Sequence, residues 1–80
     1  MEILVEDKPV EEYLESAKAE IEKGPVVVLG KGRDTVKAVD LAELLKQYDA
    51  KVKSISIETE ETETDGKTKR VSVMKIELEK

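Results

Sequence analysis

Four consecutive apolar residues, Val26-Val27-Val28-Leu29, constrain the fold of this chain more than any other segment. Three are β-branched and none alternates with a polar residue, the pattern of a strand covered on both faces of a sheet. Gly24-Pro25 precedes the run and Gly30-Lys31-Gly32 follows it, so the strand is punctuated at both ends. Such a strand needs partners along its edges and a layer packed upon it, which the rest of the chain must supply.

The segments on either side have the right periods. Ile3–Val5 is a short apolar run compatible with a strand. Pro9 then stands where a first helical turn tolerates proline, and Glu11, Glu12 and Glu15 suit the positive end of a helix dipole. Val10, Leu14, Ala17 and Ile21 recur at helical spacing, which predicts a helix over Pro9–Lys23, stopped by Gly24-Pro25. Beyond the glycines, Asp34 or Thr35 is placed to cap a second helix. Its Val36, Val39, Leu41, Ala42, Leu44, Leu45 and Tyr48 make an apolar surface wider than one sheet face requires, and a second subunit is the simplest cover.

From Lys51 the period changes to two, with Ile55, Ile57 and Thr59 in one run and Met74, Ile76 and Leu78 in another. Thr64-Asp65-Gly66-Lys67 lies between them, and Asp-Gly favours a two-residue type I′ hairpin turn. That turn sets Ile57 opposite Met74, Ile55 opposite Ile76 and Glu61 opposite Arg70. Val71 and Val73 have the opposite parity to Met74, Ile76 and Leu78, which predicts a bulge near Val73–Met74. The order is therefore β-α-β-α-β-β over one domain, residues 1–80. The fold class is α/β in the two-layer α+β sense, a four-stranded mixed sheet with both helices on one face.

Composition limits the chemistry. The 80 residues include no Cys, His, Phe, Trp or Asn, which removes thiol and histidine catalysis and the usual zinc and haem ligands. The carboxylates sit on charge-rich faces that offer no apolar pocket to hold one acid protonated beside an ionised partner, so no enzyme, metal, cofactor or small-molecule substrate is expected. No apolar run approaches the ~20 residues of a membrane span. Met1-Glu2-Ile3-Leu4 lacks a basic signal-peptide head, and a cytoplasmic or chromosome-associated protein is expected. A chain of this length buries only roughly 60–65% of its unfolded surface, so dimerisation would help it.

The net charge of −5 argues at first against a polyanionic partner. The charges are unevenly spread, however. Residues 1–23 hold eight acids against Lys8, Lys18 and Lys23, whereas residues 24–57 hold six bases against four acids. Within that basic middle, Gly30-Lys31-Gly32-Arg33-Asp34-Thr35 joins a buried strand to a helix start, where glycine amides and the helix dipole favour an anion. It lacks the spacing of a P-loop and the third glycine of a dinucleotide fingerprint, and an ordinary strand-to-helix turn would use the same glycines. Lys67, Lys69 and Arg70 project from the hairpin tip, facing Glu58, Glu60, Glu61 and Glu63, so cross-strand ion pairing accounts for them equally well. Lys8-Pro9 places a further lysine at a helix start.

Together, Lys8-Pro9-Val10, the stretch Gly30-Lys31-Gly32-Arg33-Asp34-Thr35-Val36-Lys37-Ala38-Val39-Asp40 and Arg70-Val71-Ser72 resemble the Alba family of archaeal chromatin proteins and their eukaryotic relatives in RNA-processing complexes. The resemblance covers nearly the whole chain, and Gly32-Arg33 to Asp40 is its specific part. It implies a homodimer that binds double-stranded DNA and RNA through a basic saddle and two hairpin arms. Carried over by position, it makes Lys8, Lys31, Gly32, Arg33, Lys37 and Arg70 the phosphate contacts, with Lys67 and Lys69 beside them on the arm.

The departures weaken that expectation. Asp7 replaces a family lysine associated with DNA contact and acetylation, Leu29 stands where lysine is common, and Asp34 adds an acid beside the glycines. Tyr48-Asp49 occupies the region where archaeal members carry a phenylalanine for dimer–dimer contact. Two readings follow: a sequence-independent nucleic-acid-binding homodimer whose binding is weak and salt-sensitive, or a stable scaffold of the same fold with little nucleic-acid affinity. A Glu- and Lys-rich chain without Cys or Asn also fits a thermostable protein, natural or redesigned.

Overall fold

A computed structural model describes residues 1–80. The chain forms β1 (Glu2–Val5), α1 (Val10–Ile21), β2 (Val26–Lys31), a 3₁₀ turn (Gly32–Asp34), α2 (Thr35–Lys46), β3 (Lys51–Thr64) and β4 (Lys67–Glu79). The sheet order is β1-β2-β4-β3. β1 runs parallel to β2, while β4 is antiparallel to both β2 and β3. The two-layer α+β architecture expected from the sequence is the one observed, and no helix is long and apolar enough to cross a membrane.

Both helices lie on one face. Ile3, Val5, Val26, Val28, Ile76 and Leu78 share that face of the sheet and form one core with Ala17 and Ile21 of α1 and Ala38, Leu41, Ala42 and Leu45 of α2. β2 and β4 are the central strands. Of the apolar run in β2, only Val26 and Val28 are buried; Val27 and Leu29 point away from the helices and are half-buried, so the run is not covered on both faces as its pattern suggests. Val73, which is buried, lies on that same face away from the helices.

Four details differ from the sequence expectation. First, α1 begins at Val10, with Pro9 as an extended N-cap, and its last turn ends at Ile21 rather than Lys23. Second, β2 continues through Gly30 and Lys31, which pair with Met74 and Val73. Third, Asp34 occupies the N-cap position of α2 but has α-helical backbone angles and makes no side-chain cap hydrogen bond, because the preceding 3₁₀ turn already carries the chain into the helix. Fourth, there is no bulge at Val73–Met74. The hairpin register is continuous from the turn to Ser54, and the irregularity lies between Val52 and Ser54. The parity change in β4 arises because a central strand buries alternate residues on opposite faces, not from an inserted residue.

The turn itself follows the expected chemistry, with Asp65 (φ 52°) and Gly66 (φ 74°) both left-handed. It fixes Ile57 opposite Met74, Ile55 opposite Ile76 and Glu61 opposite Arg70. β2 ends level with Val73 and the 3₁₀ turn reaches Val71, whose Cγ1 lies 3.7 Å from where a Gly32 Cβ would stand, so residues Lys67–Arg70 and their partners in β3 overhang the body, by about 13 Å at strand rise. The molecule is accordingly elongated, 45 × 23 × 18 Å.

Gly30 sets how closely α2 approaches the sheet. A Cβ there would lie 2.6 Å from the Asp34 carbonyl oxygen and 2.8 Å from the Ala38 Cβ. Neither neighbour is the free end of a flexible side chain, so the helix would have to lift. Gly30→Ala should therefore cost about 2 kcal/mol and lower Tm by roughly 10 °C in a thermal melt. An unchanged Tm would show that α2 does not rest on this residue.

Candidate nucleic-acid interface

β1 and β2 are parallel, so their C-terminal ends, with the loops that follow, lie at the same end of the sheet. β4 is antiparallel to β2, so the overhanging arm leaves from that end as well. This topology gathers every sequence-predicted site residue at one end of the molecule. Lys8 comes from the β1–α1 loop, Lys31, Gly32 and Arg33 from the β2–α2 connection, Lys37 from the first turn of α2, and Lys67, Lys69 and Arg70 from the arm.

Their surroundings differ. Lys37 Nζ donates hydrogen bonds to the carbonyls of Glu6 (2.7 Å) and Lys8 (3.2 Å), tying the β1–α1 loop to α2. The Glu6 backbone N–H donates in turn to Tyr13 Oη (3.0 Å). Lys8 is thus held beside the start of α2 through its own carbonyl, with its ammonium outside any ion pair. Arg33 also has no carboxylate partner. It sits within the 3₁₀ turn that opens on Gly32, whose φ of 55° favours glycine.

Lys31 Nζ lies 3.0 Å from Glu60 Oε2, and Arg70 Nε 3.1 Å from Glu61 Oε1. The second pair joins directly opposed residues and was expected from the hairpin register. The first was not, because it crosses from β2 to β3 over the intervening strand β4. Lys75 and Glu58 add a third pair on the same face as Lys31 and Glu60 (3.5 Å). All are exposed, a setting in which an ion pair contributes about 0–1 kcal/mol. Lys67 and Lys69 stand opposite Thr64 and Thr62 and have no acidic partner.

The register also sorts the arm's charges by face. Glu60, Thr62, Thr64, Lys67 and Lys69 share the face with Lys31, away from the helices, whereas Glu61, Glu63, Thr68 and Arg70 share the other. One face of the outer arm is therefore cationic and the other acidic. Taken as a whole this end is balanced: Glu6, Asp7, Asp34, Glu60, Glu61, Glu63 and Asp65 offset the seven basic residues. The basic middle of the chain is not a basic surface, because folding sets Glu60 of β3 against Lys31 and gathers Glu6, Asp7 and Asp34 at the same end.

An apolar surface adjoins the interface. Val39 (40% exposed) and Val36 (65%) lie on the flank of α2 away from α1. Ile55 (59%) and Ile57 (67%) point to the helix side of β3, beyond the reach of either helix. Tyr48, placed with these residues by its spacing, instead has its ring under the Lys18 ammonium, 4.3 Å from the ring centre.

The Alba family model matches residues 1–62. Among solved structures, Alba from Thermoplasma volcanium superposes with a TM-score of 0.89 at 26% identity, each chain covered in full. ALBA1 from Trypanosoma brucei superposes at 0.81 with 20% identity, over 99% of this chain and 68% of the other, a likeness of fold. A comparison with curated proteins finds no match.

The hydrogen bonds of Lys37 yield a direct test. Lys37→Met keeps the aliphatic stem and removes both donors, and should lower unfolding free energy in urea by about 1 kcal/mol. Arg33→Met, which breaks no contact, should stay within about 0.5 kcal/mol. Equal effects would deny Lys37 its role in holding the loop.

Proposed function

The chain belongs to the Alba family, and from that membership we propose that it is a homodimeric nucleic-acid-binding protein that engages DNA or RNA by phosphate rather than by base sequence. The observation that carries this reading is the convergence of a glycine turn, a helix start and an overhanging arm at one end of the sheet. Phosphate would meet backbone amides and the unpaired Arg33 and Lys8 at the base, and Lys67 and Lys69 along the arm. Lys37 would act by positioning the loop that carries Lys8, while Lys31 and Arg70 would have to leave a carboxylate first. The role is binding rather than catalysis. With acids matching bases at this end, affinity should be modest and confined to low salt.

The second copy belongs on the surface of Val36, Val39, Ile55 and Ile57. These are large apolar side chains beside an unpaired 14-residue strand, in a domain with only 15 buried residues. The outer half of that strand carries Glu58, Glu60, Glu61 and Glu63, which would repel their own copies, so contact is restricted to the inner half. A two-fold pairing there would leave both arms free.

Two measurements test this. Anisotropy of a labelled DNA duplex should report binding at about 20 mM salt that weakens steeply towards about 150 mM. Arg33→Glu should reduce affinity by roughly tenfold or more; no binding by the wild type at micromolar protein and low salt would refute the reading. Light scattering at tens of micromolar should give the mass of two chains, falling to one for Ile57→Glu. A monomeric wild type would overturn the dimer.

A further inference from the structure

The Lys31–Glu60 pair bears on how tightly this protein holds a polyanion. Lys31 is half-exposed (45%), as is Glu60 (49%), and their 3.0 Å contact spans the strand between them. Lys31 stands next to Gly32 and Arg33, at the junction of body and arm. Glu60 lies on the same face as Thr62, Thr64, Lys67 and Lys69. It is the one carboxylate between Lys31 and those two lysines on the cationic face of the arm. Glu61 is adjacent in sequence but projects from the opposite face, where it pairs with Arg70.

We propose that Glu60 is an affinity-limiting residue, an internal competitor that occupies Lys31 and repels phosphate from the path between the saddle and the arm. The inference rests on the nucleic-acid reading above and deepens it by assigning one residue a regulatory role in that binding. The physical reasoning concerns tethering. An exposed ion pair is weak and opens easily, so Lys31 is available in principle. The carboxylate released by opening does not diffuse away as a counterion would. It stays anchored on β3, within a few ångströms of any phosphate that Lys31 binds, and opposes that contact. A backbone-tracking ligand therefore meets two cationic patches, Lys8 with Arg33 and Lys67 with Lys69, separated by a neutralised step.

Glu60→Gln keeps the side chain's size and removes its charge, and Glu63→Gln makes the same change in net charge three residues away on the other face, opposite Thr68, without releasing a basic residue. Both sites are exposed, so both variants should fold. In anisotropy titrations with a DNA duplex at low salt, E60Q should bind about fivefold more tightly than wild type, and E63Q within about twofold. The plot of log affinity against log salt should steepen by about 0.9 for E60Q, one added phosphate contact, and be unchanged for E63Q. Equal gains from E60Q and E63Q would reduce the effect to net charge and overturn the proposal. So would E60Q binding no tighter than a wild type whose affinity still depends on Arg33, an outcome that leaves the nucleic-acid reading intact. If no variant binds at low salt, the nucleic-acid reading and the role of Glu60 fall together.

Discussion

The close seating of α2 on β2 at Gly30 is the constraint on which the rest of the structure depends. With no side chain at that point, the first turn of the helix reaches the sheet before the strand has ended. The chain turns from strand to helix through three residues, Gly32–Asp34, and leaves Arg33 outside the core at the strand end. The same seating brings Lys37 over the β1–α1 loop, where its ammonium binds two carbonyls and holds Lys8 in place. A bulkier residue at position 30 would disturb the loop, the turn and the core together.

Local rules made much of this legible. Asp65-Gly66 sets a turn, the turn sets a register, and the register pairs Ile55, Ile57 and Glu61 with their partners across the hairpin. The helices follow from apolar spacing and from the breakers around them. What could not be read was non-local. The parity change that suggests a bulge at Val73–Met74 instead reflects the central position of β4, which buries Val73 on one side and Ile76 on the other. The Lys31–Glu60 pair links strands that are not neighbours, and the contact of Lys37 with Glu6 joins segments 31 residues apart. No spacing rule connects such residues until the sheet order is known. Tyr13 is a further case: its hydroxyl accepts from the amide of Glu6 across a loop.

Charge illustrates the difference between sequence and surface. By segment, the middle of the chain is basic; in three dimensions Glu60 of β3 meets Lys31, other acids gather at the same end, and that end of the molecule is balanced. The arm nevertheless sorts its charges, with Lys67, Lys69 and a single acid, Glu60, on one face and Glu61, Glu63 and Arg70 on the other, because residues two apart in a strand share a side. A balanced surface with segregated faces can still direct a polyanion, though with less electrostatic attraction than a uniformly basic one. Family membership, the glycine turn and the arm point to nucleic acid, while the matched charges limit its strength.

The most direct test of the interface is an amide chemical-shift titration of the isotopically labelled protein with a short DNA duplex at low salt. Shifts should concentrate at Lys8, at Lys31–Thr35 and at Thr62–Lys69, with the helix surfaces near Glu12, Glu15 and Glu43 unmoved. Shifts centred on those acidic helix faces, or none at saturating duplex, would contradict the placement of a nucleic-acid interface at this end of the sheet.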